Sequence, residues 1–145
     1  MTERLQDRLL ALALGAPTWT VLGIAAWLTP DDRGFGTHQQ LGLGTCSFMK
    51  ATGWACPMCG MTTSFTHGAH LDLLGALAAQ PFGTLLFLAT VAGAGISLVE
   101  LADPRGRWRR IIGWILDREV AVALLFLGGL LSAWAYKAWT LGPIG

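Results

Sequence analysis

Charge is what this chain has least of. Asp, Glu, Lys and Arg make up 13% of its 145 residues, about half the share usual in a globular protein. Apolar residues make up 53%, so the deficit points to a bilayer rather than to water. With a net charge of +1 the chain lacks the basic face that nucleic acid requires. Internal repeats and low-complexity tracts are absent. Cysteine is scarce, three in all, and no βαβ pattern surrounds it, which argues against a thioredoxin-like domain. Thr62, Thr63, Ser64 and Thr66 cluster after Cys59 with no general base beside them, so they read as groups that bond back to helix carbonyls.

What is abundant is long apolar sequence. Residues 9–29 carry no charge, and at 1.5 Å per residue such a run covers a hydrocarbon core of about 30 Å. A cleaved signal peptide would end near Ala11, Ala13 or Ala16, but the run continues to Leu28. Pro17 is expected to kink this helix. Residues 82–101 and 120–138 form a second and a third span. Glu100 ends the second. Lys137 ends the third, where it can snorkel. Ala89, Gly93 and Ser97 form a small-residue stripe suited to close helix approach, and Gly128, Gly129, Ser132 and Ala133 offer another. The chain therefore reads as a single all-α membrane domain over 1–145, with three transmembrane helices, short interfacial helices and a loop over 30–81.

Within that loop, Gly34–Cys46 reads as an ordered loop without regular structure. A short helix is expected over Pro57–Thr66, broken at Gly68. A second is expected over His70–Gln80, with Asp72 as a helix-start charge and Leu71, Leu74, Leu77 and Ala78 on one face. Eleven residues cannot span, so the second lies at the interface. After the second span, Trp108, Ile111, Ile112 and Ile115 suggest an amphipathic segment on the membrane surface. The arginines around it read as a topology signal, with anionic lipid as a second role.

Orientation follows from Lys and Arg. Arg4, Arg8, Arg105, Arg107, Arg109, Arg110 and Arg118 fall on one side, and Arg33, Lys50 and Lys137 on the other. The expectation is an inner (cytoplasmic) membrane protein with its N-terminus cytoplasmic and its cysteine loop and C-terminus extracytoplasmic. Trp27, Trp134, Tyr136 and Trp139 would mark the outer interface, and Trp108 and Trp114 the inner one.

All three cysteines lie in one stretch, Cys46 to Cys59. Pro57 after Cys56 suits a helix start, which would place Cys56 at a helix N-terminus and lower its thiol pKa. Four readings stay open. Cys46 can form a disulfide with Cys56 or Cys59, worth roughly 3 kcal/mol for a loop of about a dozen residues. Cys56, Cys59, His67 and His70 can hold zinc, or copper given Met58 and Met61 nearby. Cys56 and Cys59 can be a redox couple. All three can be inert packing groups. His38 and His70 read more simply as surface or interfacial polar groups.

Cys46, Thr52-Gly53, Cys56-Pro57-Met58-Cys59-Gly60-Met61-Thr62 and Gln80-Pro81 together resemble a bacterial family of small membrane proteins of unknown function. Its pattern runs Cys, Thr-Gly, Cys-Pro-x-Cys-Gly-x-Thr-Arg, then an Asn-Pro-like break. Thr63 replaces the arginine here and Gln80 the asparagine. The resemblance implies a multi-span helical protein and brings no activity. The expected function is a non-enzymatic accessory or scaffold component with a structural disulfide or metal site. The alternative is a membrane-tethered thiol redox or metal-handling protein for zinc or copper. Expected partners are the lipid bilayer and other membrane protein subunits, with no nucleic acid.

Overall fold

A computed structural model describes residues 2–142. Seven α-helices and no strands are found among them. The first is α1 (Thr2–Trp27). In the loop, α2 (Ser47–Thr52), α3 (Met61–Ala69) and α4 (Leu73–Ala79) follow a 3-10 turn at Thr37–Leu41. Then come α5 (Pro81–Ala102), α6 (Arg107–Leu116) and α7 (Glu119–Leu141). Three of them, α1, α5 and α7, are long and apolar enough to cross a membrane. Each is longer than the apolar run that announced it. Pro17 lies inside α1, which continues as one helix through it.

The long helices pack through small residues. On α1 the buried stripe is Asp7, Ala11 and Gly15, a four-residue spacing that keeps one face toward α5. A β-carbon at Gly15 would lie 2.8 Å from that of Ser97, so the glycine sets how closely the two helices approach. The stripe expected on α5 is only partly right. Gly93 and Ser97 are buried, but Ala89 is exposed, and the buried face instead runs through Gly83, Thr84, Phe87, Gly93, Ala94, Ser97 and Glu100. Gly93 also faces the Trp108 ring of α6 rather than another long helix.

Helix α7 is the least enclosed of the three. It meets α5 where the Phe126 and Phe82 rings pack edge to face at 5.2 Å and where Gly129 leaves room for Phe82. Ala133 is buried and lines the same gap beside Phe82. Gly128 has open space beside it, and Ser132 bonds back to the Gly128 carbonyl at 2.7 Å.

The arginine-bearing end is closed by two buried carboxylates. Glu100 is fully buried. Its Oε1 accepts from the N–H groups of Arg105, Gly106 and Arg107 at 2.9, 2.5 and 3.2 Å, and its Oε2 accepts from Arg107 Nη1 at 2.9 Å. Gly106 permits this wrap, with φ +66, because only glycine takes the left-handed region without steric cost. Asp7 pairs with Arg109 at 2.7 Å, tying the start of α1 to α6.

The loop helices differ from expectation in four ways. The segment before Cys46 holds the 3-10 turn. The helix after Cys59 begins four residues later than Pro57, at Met61, because Gly60 takes φ +88. It also runs through Gly68, which does not break it. Gly68 instead lies against Phe87, whose ring a β-carbon there would meet at 2.6 Å. Helix α4 starts where Asp72 accepts from Gly75 N–H at 2.8 Å. It therefore starts at Leu73 rather than His70, and Leu71, expected on its face, lies before it at a left-handed position; Leu71 and Leu74 are 90% and 80% exposed.

A candidate thiol site on the cysteine subdomain

The loop holds together through buried hydroxyl and amide groups rather than a large apolar core. Thr37, Thr63, Ser64, Thr66 and Gln80 are completely buried, and groups so placed must find partners. Thr37 and Thr63 hydroxyls meet at 2.8 Å, and Thr37 also accepts from Asp31 N–H. The Ser64 hydroxyl bonds to Thr84 at 3.0 Å and to the Gln80 carbonyl at 3.2 Å. Gln80 Nε2 donates to the Pro57 carbonyl at 3.0 Å, which fixes the cysteine turn against the start of α5. Gln80 Oε1 has no partner. Of the expected back-bonding hydroxyls, Thr66 does bond to the Thr62 carbonyl, but Thr63 and Ser64 bridge to other elements.

Upon this frame the chain makes a tight turn from Cys56 to Gly60. Cys59 N–H bonds to the Cys56 carbonyl at 2.9 Å and Met61 N–H to the Met58 carbonyl at 3.1 Å. Pro57 supplies the fixed φ that a turn's second position favours. Gly60 is irreplaceable by geometry: a β-carbon there would lie 2.7 Å from the Gly34 carbonyl and 2.8 Å from that of Ala79.

The helix-start cysteine is Cys46, not Cys56. It caps α2, and the Met49 N–H beside its thiol, helped by Cys56 and Phe48 N–H, holds the pKa below the ordinary thiol value against the opposing pull of burial. Cys56 lies in the turn. Burial, then the adjacent Cys46, pushes its thiol up to about 11. Burial also raises Cys59, with the positive charge of Lys137 opposing it. Cys56 is in side-chain contact with both Cys46 and Cys59, and all three are free thiols. They line one cavity of about 280 Å³ together with His38, Met58 and Met61.

His67 and His70 do not join them. His67 Nδ1 meets the Asp72 carboxylate at 2.8 Å, and His70 Nδ1 meets the Thr66 carbonyl at 2.8 Å. Both are engaged locally at the C-terminal end of α3. Among the described residues no group of three or more His, Cys, Asp or Glu side chains is arranged to hold a metal ion, so Cys56, Cys59, His67 and His70 do not form one donor set. His38, expected as a surface or interfacial polar group, is half-buried in the cavity wall.

Residues of α7 complete the site, and the sequence reading missed them. Trp134 Nε1 donates to the Ala55 carbonyl at 2.9 Å and the Tyr136 hydroxyl to the Ala78 carbonyl at 3.1 Å. Lys137 does not snorkel. Only 3% exposed, it donates to the Gly34 carbonyl at 3.1 Å, with its stem against Gly60. The signal was available: a lone ammonium in an otherwise uncharged run seeks a partner inside the protein.

The fold and site thus define an all-α protein with three helices able to span a membrane and a thiol-bearing subdomain set between the first two. A family model described as "Protein of unknown function (DUF2752)" matches residues 46–94, from Cys46 into α5, and over that stretch the chain is similar to it. No curated protein and no solved structure matches the chain.

Proposed function

We propose that the protein is a membrane-anchored thiol–disulfide protein, with Cys46 as its attacking thiol and Cys56 as the partner. One observation carries this reading, the asymmetry of two touching thiols. Cys46 is half-exposed with a depressed pKa, and Cys56 beside it is raised to about 11. Thiolate attacks and thiol waits. The Cys46 thiolate would attack a disulfide of a partner protein, forming a mixed disulfide and releasing one partner thiolate. Cys56, losing its proton to water, would then attack Cys46 Sγ and release the second. The products are a Cys46–Cys56 disulfide and a reduced partner, and the steps run backward on a reduced partner. The subdomain faces the extracytoplasmic side of the inner membrane in this reading, a compartment that permits disulfides. The seven-to-three distribution of Arg and Lys supports that orientation.

The test is alkylation and turnover in detergent. At neutral pH, Cys46 should react with iodoacetamide at least about tenfold faster than Cys56, and Cys46→Ser should abolish reduction of a peptide disulfide by the dithiol form. Undiminished reduction by Cys46→Ser would overturn the assignment. The second reading is an accessory or scaffold component of a membrane assembly, in which the same bond is a passive staple. The docking of α7 through Trp134 and Tyr136 favours it, because the subdomain is anchored without any sulfur bond. A Cys46–Cys56 disulfide that forms but never exchanges with added peptide thiol would select it.

A further inference from the structure

Three thiols are one more than a dithiol couple needs, and the third is not placed at random. Cys56 contacts both of the others, so it can be bonded to either one while the remaining one attacks. Cys59 is its neighbour across the turn, 8% exposed in the wall of the same cavity. Beneath it lies Lys137, from α7, with a single identified acceptor at Gly34. An ammonium group offers three donors, and the Lys137 stem runs against Gly60, the residue after Cys59. The charged and titratable groups facing Cys59 are therefore Cys46, Cys56 and Lys137, with His38 across the same cavity.

We propose that the three thiols form a relay with Cys56 as the pivot, in which Cys59 resolves the outer disulfide and Lys137 is the positioning residue for Cys59. The reading rests on the dithiol function above. Cys59, giving its proton to water, attacks Cys56 Sγ. The Cys56–Cys59 bond forms, the Cys46–Cys56 bond breaks, and Cys46 leaves as thiolate. No oxidant is consumed, because one disulfide is exchanged for another. The leaving side is favoured by the Met49 and Phe48 N–H groups at the start of α2, since a thiol of lower pKa leaves faster. The attacking side is favoured by the charge of Lys137. The result is a disulfide moved from the open side of the subdomain to its buried side, with Cys46 free for another partner.

The experiment equilibrates the full chain in detergent with glutathione buffers, quenches it with acid and digests it with trypsin. Cleavage after Lys50 separates Cys46 from the other two cysteines. A bond between two peptides then reports the Cys46–Cys56 form, and a bond within one peptide reports Cys56–Cys59. Wild type should give both forms, Cys59→Ser only the first and Cys46→Ser only the second. The pH midpoint for alkylating Cys59 in Cys46→Ser should rise by about one unit with Lys137→Met, roughly a tenfold slowing below it. Lys137→Arg should restore much of that shift. A lysine that only packs would leave the midpoint in place, which would overturn its role. A Cys46–Cys56 form with no intra-peptide bond at any glutathione ratio would overturn the relay while sparing the dithiol. Three free thiols throughout would overturn both.

Discussion

The two ends of the helix bundle handle buried polarity in opposite ways. At the arginine end the Glu100 carboxylate takes four donors from its own turn, and Asp7 is matched by Arg109. Both buried carboxylates there are answered by arginine, Glu100 by Arg107 a few residues on and Asp7 by Arg109 alone. At the cysteine end the polar groups bridge residues far apart in sequence, Thr37 to Thr63, Gln80 to Pro57, Lys137 to Gly34. Capacity is left over in an unpartnered Gln80 oxygen and three unlinked thiols. A satisfied buried network rigidifies, whereas free thiols can still form bonds. The first end therefore reads as a lock and the second as a site.

The sharpest break would come from sidedness. With all three cysteines replaced by serine, Gly44→Cys, in open space on the cysteine loop, should be labelled nearly completely by a membrane-impermeant maleimide in intact cells. Asp117→Cys, at the other end, should stay at background. Reversed labelling would put the thiols in a reducing compartment and remove the setting for disulfide chemistry.

The lock can be tested next. Glu100→Ala leaves three N–H groups without their acceptor and Arg107 with Asp103 alone. Losing one side of a buried pair costs about 3–5 kcal/mol, and the low end applies here because Arg107 can turn toward water. A fall of under about 1 kcal/mol in detergent unfolding, within the range of a surface change, would show that the arginine end is no lock.

Gly60→Ala tests the other end. It adds a β-carbon against two carbonyls at a left-handed position, and should cost about 2 kcal/mol while equalising the alkylation rates of Cys46 and Cys56. Lost stability with the rate difference intact would separate the fold of the turn from the tuning of its thiols. Trp134→Phe removes one hydrogen bond to Ala55 and should cost about 1 kcal/mol; no measurable change in melting would mean that α7 does not anchor the subdomain.

The smallest effect is a drift with pH. Cys56 and Cys59 stay neutral in the folded, reduced protein to higher pH than in the unfolded chain. Their contribution is complete below the ordinary thiol value of 9.0 and is lost above it, for Cys56 as pH climbs toward about 11. Cys46, lowered instead, opposes this as one thiol against two. Stability of the reduced protein should therefore decline across that window, and Cys56→Ser should flatten the decline in melting curves. An equal slope in both proteins would show that burial does not tune Cys56.

The amino-acid sequence by itself determined the helical class, the three apolar runs and the place of the cysteine stretch between two of them. These follow from local properties: hydropathy over about 20 residues, the scarcity of charge and the spacing of Cys and Pro. It also made Asp72 legible as a helix start, because capping is settled within four residues. Which cysteine sits at a helix start was decided only by the tertiary structure. Pro57 suits a turn as well as a first helical position, and the close approach of the Gly34 and Ala79 carbonyls at Gly60 selected the turn. The structure likewise turned Lys137 inward and separated His67 and His70 from the thiols. Those outcomes depend on contacts such as that between residues 34 and 137, across distances in sequence that no local pattern encodes.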